Sequence, residues 1–387
     1  MQIKFSSLVA CTSTFVYASA AVSTATVTSS NFIVFGDSLV DNGNTGKLLN
    51  TTVYWDGRFS NSYVWDEYTA KLLGMTLVNN AYGDATSNNN VTSSVLEGIT
   101  IPSFHDQVTN WLSSNPSPSQ SNLDYDVIQI EIGSNDIINN IQGLSNGTVD
   151  IDTLATSVAT SISTDIKSLI DAGYQNINLW NIPAIELTPM VLAMNGTDLM
   201  APVVQTMNSA IAKLVQSVFD NSKSTTRSTN IFDLHTLMTT CLQSQVLSAF
   251  GITDHTDACY TTDSNNKPSI CSNPDEHFFY DDIHPASRMH YLWGVSAAYL
   301  TRDASTSLDT NGVTSIIKSF SIGSSSKTDN IIVNGITPSE SADIPAESDG
   351  VGAGIDGSSS DHSTSSAAGL RFTSCLAFLA LATFYFL

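Results

Sequence analysis

A serine, a histidine with a carboxylate three positions before it, and an asparagine are the side chains of this sequence best suited to covalent chemistry. The most pointed segment is Asp281-Asp282-Ile283-His284-Pro285. An Asp at that offset folds back within one turn to accept the imidazole Nδ1–H, which orients the ring and frees Nε2 to take a proton from a serine. Of the seven histidines, His284 alone has that offset together with a following Pro that fixes the turn. Asp254-His255 and Asp361-His362 are adjacent pairs with poorer geometry. The candidate nucleophile is Ser38 in Gly36-Asp37-Ser38-Leu39, just past a short apolar run. A lone Ser there is ordinarily a helix cap, so its companions decide the matter. The amide of Asn135, with the backbone N–H groups of Ser38 and Gly83, makes a set of donors for the oxyanion of a tetrahedral intermediate. Gly83 suits that work because no Cβ keeps its backbone from the substrate, although Ala81-Tyr82-Gly83-Asp84 by itself reads as a common turn.

These pieces lie far apart, so the elements around them must bring them together. Between residues 31 and 302 short apolar runs alternate with segments of helical spacing. Phe32-Ile33-Val34-Phe35, Val127-Ile128-Gln129-Ile130-Glu131-Ile132, Ile177-Asn178-Leu179-Trp180 and Ile231-Phe232-Asp233-Leu234 read as strands. Leu154, Val158, Ile162, Ile166 and Ile170 recur every four residues, and Val204, Met207, Ile211, Leu214, Val215 and Val218 fall on a second helical face. Strand and helix in alternation predict an α/β architecture, an open parallel sheet with helices on both faces. Ligands of such sheets sit beyond the carboxyl ends of the strands, where the loops Gly36-Asp37-Ser38-Leu39 and Gly133-Ser134-Asn135-Asp136 begin.

Composition narrows the classes further. Lys and Arg number 14 against 36 Asp and Glu, a formal charge of -22 over 387 residues, which excludes a nucleic-acid binder that must neutralise phosphates. Only 13% of residues are charged while 42% are hydrophobic, so Ser, Thr and Asn carry the hydration, as suits an extracellular glycoprotein. Residues 1–20, with Lys4, an apolar stretch and Ala18-Ser19-Ala20, read as a cleavable signal peptide. Residues 372–387 form an apolar tail after a Ser-, Gly- and Asp-rich stretch, the pattern of a GPI-attachment signal. The expected organisation is therefore a signal peptide, a catalytic domain over 29–305, a disordered stalk over 321–369 and the tail. Any small residue between Gly357 and Ala367 would serve for attachment.

Removing both ends leaves Cys241, Cys259 and Cys271, enough for one disulfide and one spare thiol. A 259–271 bridge would close a short loop and stabilise by about 3 kcal/mol; pairing of Cys241 with either partner is the alternative. No Cys-x-x-Cys occurs, which argues against a thiolate zinc site, and no cofactor is expected. Asn50, Asn90, Asn146 and Asn195 each begin an Asn-x-Thr triplet, a glycosylation acceptor expected in surface loops. Gly143-Leu144-Ser145-Asn146-Gly147 fits a nucleophile elbow, but no apolar strand precedes it, and it is set aside.

Phe35-Gly36-Asp37-Ser38-Leu39, Asn80-Ala81-Tyr82-Gly83, Gly133-Ser134-Asn135-Asp136 and Asp281-Asp282-Ile283-His284-Pro285 resemble, in order, the four sequence blocks of the GDSL (SGNH) esterases and lipases. Gly57-Arg58-Phe59-Ser60-Asn61 is similar to a stretch of the longer plant, bacterial and fungal members. Members of that subgroup often have Gly-Gly where this chain has Gly83-Asp84, and Gly where it has Ser62. The resemblance implies a three-layer α/β/α, flavodoxin-like fold and metal-free ester hydrolysis through an acyl-enzyme. It also implies Ser38 as nucleophile, His284 as base, Asp281 as its orienting acid, and Gly83 and Asn135 as oxyanion donors. The expectation is a secreted, surface-anchored, monomeric serine esterase acting on acetylated glycans, short-chain esters or lipids. The rival is an inactive wall protein that retains the fold. Trp55, Phe59, Tyr63 and Trp65 are candidates to line a substrate pocket, though aromatic residues at that spacing are more often core.

Overall fold

A computed structural model describes residues 30–49, 54–263 and 267–345. Its centre is a parallel sheet of five strands: β1 (Asn31–Gly36), β2 (Thr76–Asn79), β3 (Val127–Glu131), β4 (Asn176–Trp180) and β5 (Ser228–Phe232). Their order is β2-β1-β3-β4-β5, the flavodoxin-like arrangement of a three-layer α/β/α fold, in which the chain reverses direction across the sheet between β1 and β3. The register aligns Phe32 with Val127 and Gly36 with Glu131, so both strands end at the same level.

Alternation along the strands builds two cores. Ile33, Phe35, Ile128 and Ile130 face helices α2 (Phe104–Ser114), α3 (Ile151–Asp171) and α4 (Thr197–Ser222). Phe32, Val34 and Val127 face the other side, which is covered by α1 (Trp65–Leu73) and α6 (Ser287–Arg302). The helical spacing seen in the sequence buries Leu154, Val158, Ile162, Ile166 and Ile170 along α3, and Asp150 starts that helix by accepting the Thr153 N–H at 2.9 Å. The second core is aromatic: Tyr68 stacks on Tyr291 at 4.6 Å and Trp65 meets Trp180 edge-on at 5.3 Å, so Trp65 belongs to the core.

Three differences from the sequence reading have simple causes. β2 has no apolar run of its own: Thr76-Leu77-Val78-Asn79 is a half-buried edge strand paired only with β1. The last strand starts earlier than expected and stops at Phe232, because Asp233 accepts the Thr236 N–H at 2.9 Å and opens helix α5 (Leu234–Cys241). The largest correction concerns the end of the catalytic domain and the start of the stalk. The chain does not leave the body at 305 or at 321: α7 (Thr310–Ser319) buries Val313, Ile316 and Ile317, and Ile322 and Ile331 are fully buried against the same core. Isolated Ile residues among Ser and Thr escaped a reading based on composition, yet each fills a site on the aromatic core. The proposed signal peptide, the attachment tail and the stalk beyond 345 lie outside the described residues. Among the described residues no helix is long and apolar enough to cross a membrane.

A disulfide joins Cys259 to Cys271, and Cys241 is free and buried. Asn90, Asn146 and Asn195 are all exposed at turns or helix ends, Asn195 with a left-handed φ of 51°; Asn50 lies outside the described residues. Ser145 of the set-aside elbow is an exposed helical residue that bonds the Gln142 carbonyl.

Candidate active site

The loops that leave β1 and β3 meet at the point where the strand order reverses, and they carry Ser38 and Asn135 to one side of the same apolar pocket. The third component comes from a tight loop before α6. There Tyr280 N–H bonds the His284 carbonyl at 2.7 Å and Ala286 N–H bonds that of Phe278 at 2.9 Å, so residues 280–286 are held closed. Inside the loop Asp281 Oδ1 accepts the backbone N–H of Ile283 at 2.8 Å and of His284 at 2.6 Å. The turn inferred from the three-residue offset is therefore present, and it is held by the carboxylate itself.

The side chains form a continuous series. His284 Nδ1 lies 2.7 Å from Asp281 Oδ2, and His284 Nε2 lies 2.7 Å from Ser38 Oγ. Ser38 is 7% exposed, so its hydroxyl meets a ligand through the pocket rather than bulk solvent. Burial works against the charged imidazole of His284, but the negative Asp281 beside it outweighs that, and its pKa is raised above 6.5. Burial likewise disfavours the Asp281 carboxylate; His284 and the two N–H groups more than offset it and hold the carboxyl below the usual Asp range. The result is a base primed to accept a proton and to retain it while a negative charge develops beside it.

The expected donors fare unequally. Asn135 lies in the first turn of a short helix (Ser134–Ile138) and spends one amide hydrogen on the Ala85 carbonyl at 3.0 Å. That bond fixes the amide and leaves its second hydrogen for the pocket. Gly83 corrects the sequence reading: its N–H donates to Asp41 Oδ2 at 2.9 Å, not into the crevice. The reason for a glycine is also different, since a Cβ there would lie 2.1 Å from Cε2 of Phe59. Phe59 in turn sits with its ring centroid 5.1 Å from that of His284. Asp41 was missed by sequence reasoning. Its two oxygens accept the N–H groups of Gly43, Asn44, Thr45 and Gly83, so one buried carboxylate ties the Ser38 loop to the Gly83 loop. Its place three residues after the serine was the available signal. Asp136 does comparable work, accepting both N–H and Oγ–H of Ser87 at 2.7 and 2.9 Å, and burial pushes its carboxyl up to about 7.

Tyr54 was also missed. Its hydroxyl donates to Asp281 Oδ2 at 2.8 Å, the oxygen that faces His284, and its ring packs on Phe59, Tyr260 and Tyr280. No spacing rule links position 54 to 281, so only the fold reveals the contact. Of the other aromatic residues near the first block, Trp55 and Tyr63 flank the Arg58 guanidinium, which is anchored by Glu67 at 2.7 and 2.8 Å. Removing the Tyr54 hydroxyl should lower kcat about tenfold, the worth of one hydrogen bond to a charged group. With less competition for its charge, Asp281 should pair more strongly with the imidazolium and move the acid limb of kcat/KM upward in Tyr54→Phe. A pH–rate profile checks both effects.

Among the described residues one cluster has metal-ligand types, Cys259, Cys271 and His277. Both sulfurs are consumed by the disulfide, so the set does not suit a thiolate-bound ion.

A hydroxyl, an imidazole and a carboxylate in hydrogen-bonded series, at the carboxyl edge of a parallel sheet, define a site of the serine-hydrolase type. The model of the GDSL-like lipase/acylhydrolase family matches residues 32–294, and the chain belongs to that family. The thermolabile hemolysin of Vibrio parahaemolyticus is 24% identical over 67% of this chain and 60% of its own length. A GDSL esterase/lipase of Arabidopsis thaliana is 25% identical over 65% of this chain and 83% of its own length. An acetylesterase of Thermothelomyces thermophilus is 28% identical over 55% and 65%, respectively. This chain thus spans less than two thirds of the hemolysin and of the acetylesterase. Among solved structures, a carbohydrate acetylesterase from Sinorhizobium meliloti aligns at 14% identity with a TM-score of 0.37, over 70% of this chain and 96% of that one; a likeness that loose carries no argument.

Proposed function

We propose that this protein is a secreted, surface-anchored serine esterase that hydrolyses carboxylic esters through an acyl-enzyme. The observation that carries the reading is the unbroken series Asp281, His284, Ser38 with 2.7 Å at each side-chain junction. His284 Nε2 takes the proton of Ser38 as Oγ attacks the ester carbonyl, and the same proton then goes to the departing alkoxide. Asp281 holds the ring in place and balances the imidazolium, and Tyr54 holds Asp281. The oxyanion is received by the Ser38 N–H and the second amide hydrogen of Asn135. Gly83 is left out of this set because its N–H is occupied by Asp41. Water, activated by the same imidazole, completes the cycle by releasing the acid.

The acyl part fits the pocket beside Ser38, whose walls include Leu39, Ile138, Ile185 and Ile283. Relatives named hemolysin, esterase/lipase and acetylesterase are consistent with carboxylic esters as a class. Acetylated glycans, short-chain esters and lipids are the substrates to be compared. Secretion, attachment to a glycolipid and glycosylation at Asn50, Asn90, Asn146 and Asn195 complete the proposal, as does a monomeric state.

Labelling by a fluorophosphonate tests the reading directly. Stoichiometric modification of Ser38, with loss of p-nitrophenyl ester hydrolysis, is the expected result; labelling that persists in Ser38→Ala would refute it. Asn135→Ala should lower kcat about 10²-fold with KM little changed. An effect within twofold would remove Asn135 from the oxyanion site.

A further inference from the structure

Directly beneath the nucleophile lie two acids that the mechanism above does not use. Asp37 precedes Ser38, and Glu131 ends β3 opposite Gly36. Both are fully buried. The backbones are in close approach there, for a Cβ on Gly36 would fall 2.2 Å from the Glu131 carbonyl oxygen. Asp37 Oδ1 accepts the Leu39 N–H at 3.1 Å, and the Asp37 carbonyl accepts the Val40 N–H at 3.2 Å. Asp37 thereby holds the turn that presents Ser38. Its other oxygen, Oδ2, and both oxygens of Glu131 have no N–H or alcohol O–H donor among the described residues. The two buried carboxyl groups sit at adjoining strand ends, and each burdens the other's charge.

Two ionised carboxylates only accept hydrogen bonds and repel one another, so two neighbouring buried ones whose oxygens lack donors call for a proton between them. The groups whose charge bears on Asp37 are Glu131, His284 and Asp84, and Asp37 bears in turn on Asp136; no Lys or Arg is among them. We infer that Glu131 is a positioning residue that stays protonated and donates to Asp37 Oδ2, locking the Ser38 turn and keeping a single negative charge on the pair. Burial, which raises both carboxyls, agrees with this. One charge on Asp37 favours the imidazolium that forms at His284, whereas a second, with only that same cation beside it, would oppose the oxyanion. The inference rests on the reading of Ser38 as nucleophile for its kinetic consequence, but the shared proton itself does not depend on that reading.

The test compares Glu131→Gln with Glu131→Met in the full chain. Gln donates an N–H to Asp37 without needing a proton, while Met has similar volume and no donor. Glu131→Gln should keep at least about half of the wild-type kcat, and Glu131→Met should lose about tenfold in kcat at unchanged KM, the effect of one hydrogen bond to a charged group. Equal activities in the two variants would overturn the proposal, since a purely space-filling role is satisfied by Met. Infrared difference spectra between wild type and Glu131→Gln at neutral pH give a second readout independent of activity. The carbonyl band of a neutral carboxylic acid, lost in the variant, is expected; a difference containing only carboxylate bands refutes the shared proton. If Glu131→Met does not fold, or if the wild type hydrolyses no ester, the infrared result decides alone.

Discussion

Ser38→Ala is expected to reduce ester hydrolysis to the level of buffer, a loss on the order of 10⁴–10⁶-fold in kcat. The size follows from the role proposed for the hydroxyl: it lies 2.7 Å from His284 Nε2, and without it neither the proposed acyl-enzyme nor the base-assisted attack that forms it is possible. Methylene-for-methylene the substitution removes a single oxygen from a site that is 7% exposed, so folding should be little affected and the melting temperature should stay near that of the wild type. The measurement is the initial rate on a p-nitrophenyl ester alongside a thermal melt. Retention of a tenth or more of the activity in a folded variant would reject Ser38 as nucleophile.

Asp281→Asn should have the second largest effect, about 10⁴-fold in kcat. Asn offers one acceptor where the carboxylate now receives His284 Nδ1, two backbone N–H groups and the Tyr54 hydroxyl. An amide N–H turned toward Nδ1 would also stabilise the wrong imidazole tautomer. The pH dependence provides a sign. Asp281 raises the pKa of His284 because its negative charge favours the imidazolium. Since the role proposed for His284 requires the neutral ring, wild-type kcat/KM should rise with pH through a midpoint above 6.5, the ordinary His value. In Asp281→Asn the charge is gone, the imidazolium loses its partner, and that midpoint should move to lower pH while the plateau falls. An acid limb that stays in place would mean that another group sets it.

How much of this site was legible depended on whether its parts are local. Asp281 and His284 fall within one turn, and a carboxylate three residues before a histidine can be recognised without any knowledge of the fold. Ser38 and Asn135 were found because each follows a buried strand, and strand ends in a parallel sheet converge. Gly83 was read correctly as a position that needs a glycine, but for the wrong reason. The neighbour that excludes a side chain is Phe59, some two dozen positions earlier, and the N–H is directed to Asp41. Tyr54 could not be read at all: its partner is 227 residues away. Composition misled once, over residues 321–345, where a polar background concealed Ile322 and Ile331, each buried.

The amino-acid order by itself determined the alternation of strands and helices and the layers of the fold, and it named Ser38, His284 and Asp281 as the proposed triad, because periodicity, caps and short offsets act between residues close in the chain. Only the tertiary structure decided which N–H groups remain free for an oxyanion, which hydroxyl steadies Asp281, and that Glu131 ends its strand opposite Gly36 beside the Ser38 turn. Those outcomes depend on how distant segments pack, and a hydrogen-bond donor has one direction, set by the neighbour that the folded chain brings to it.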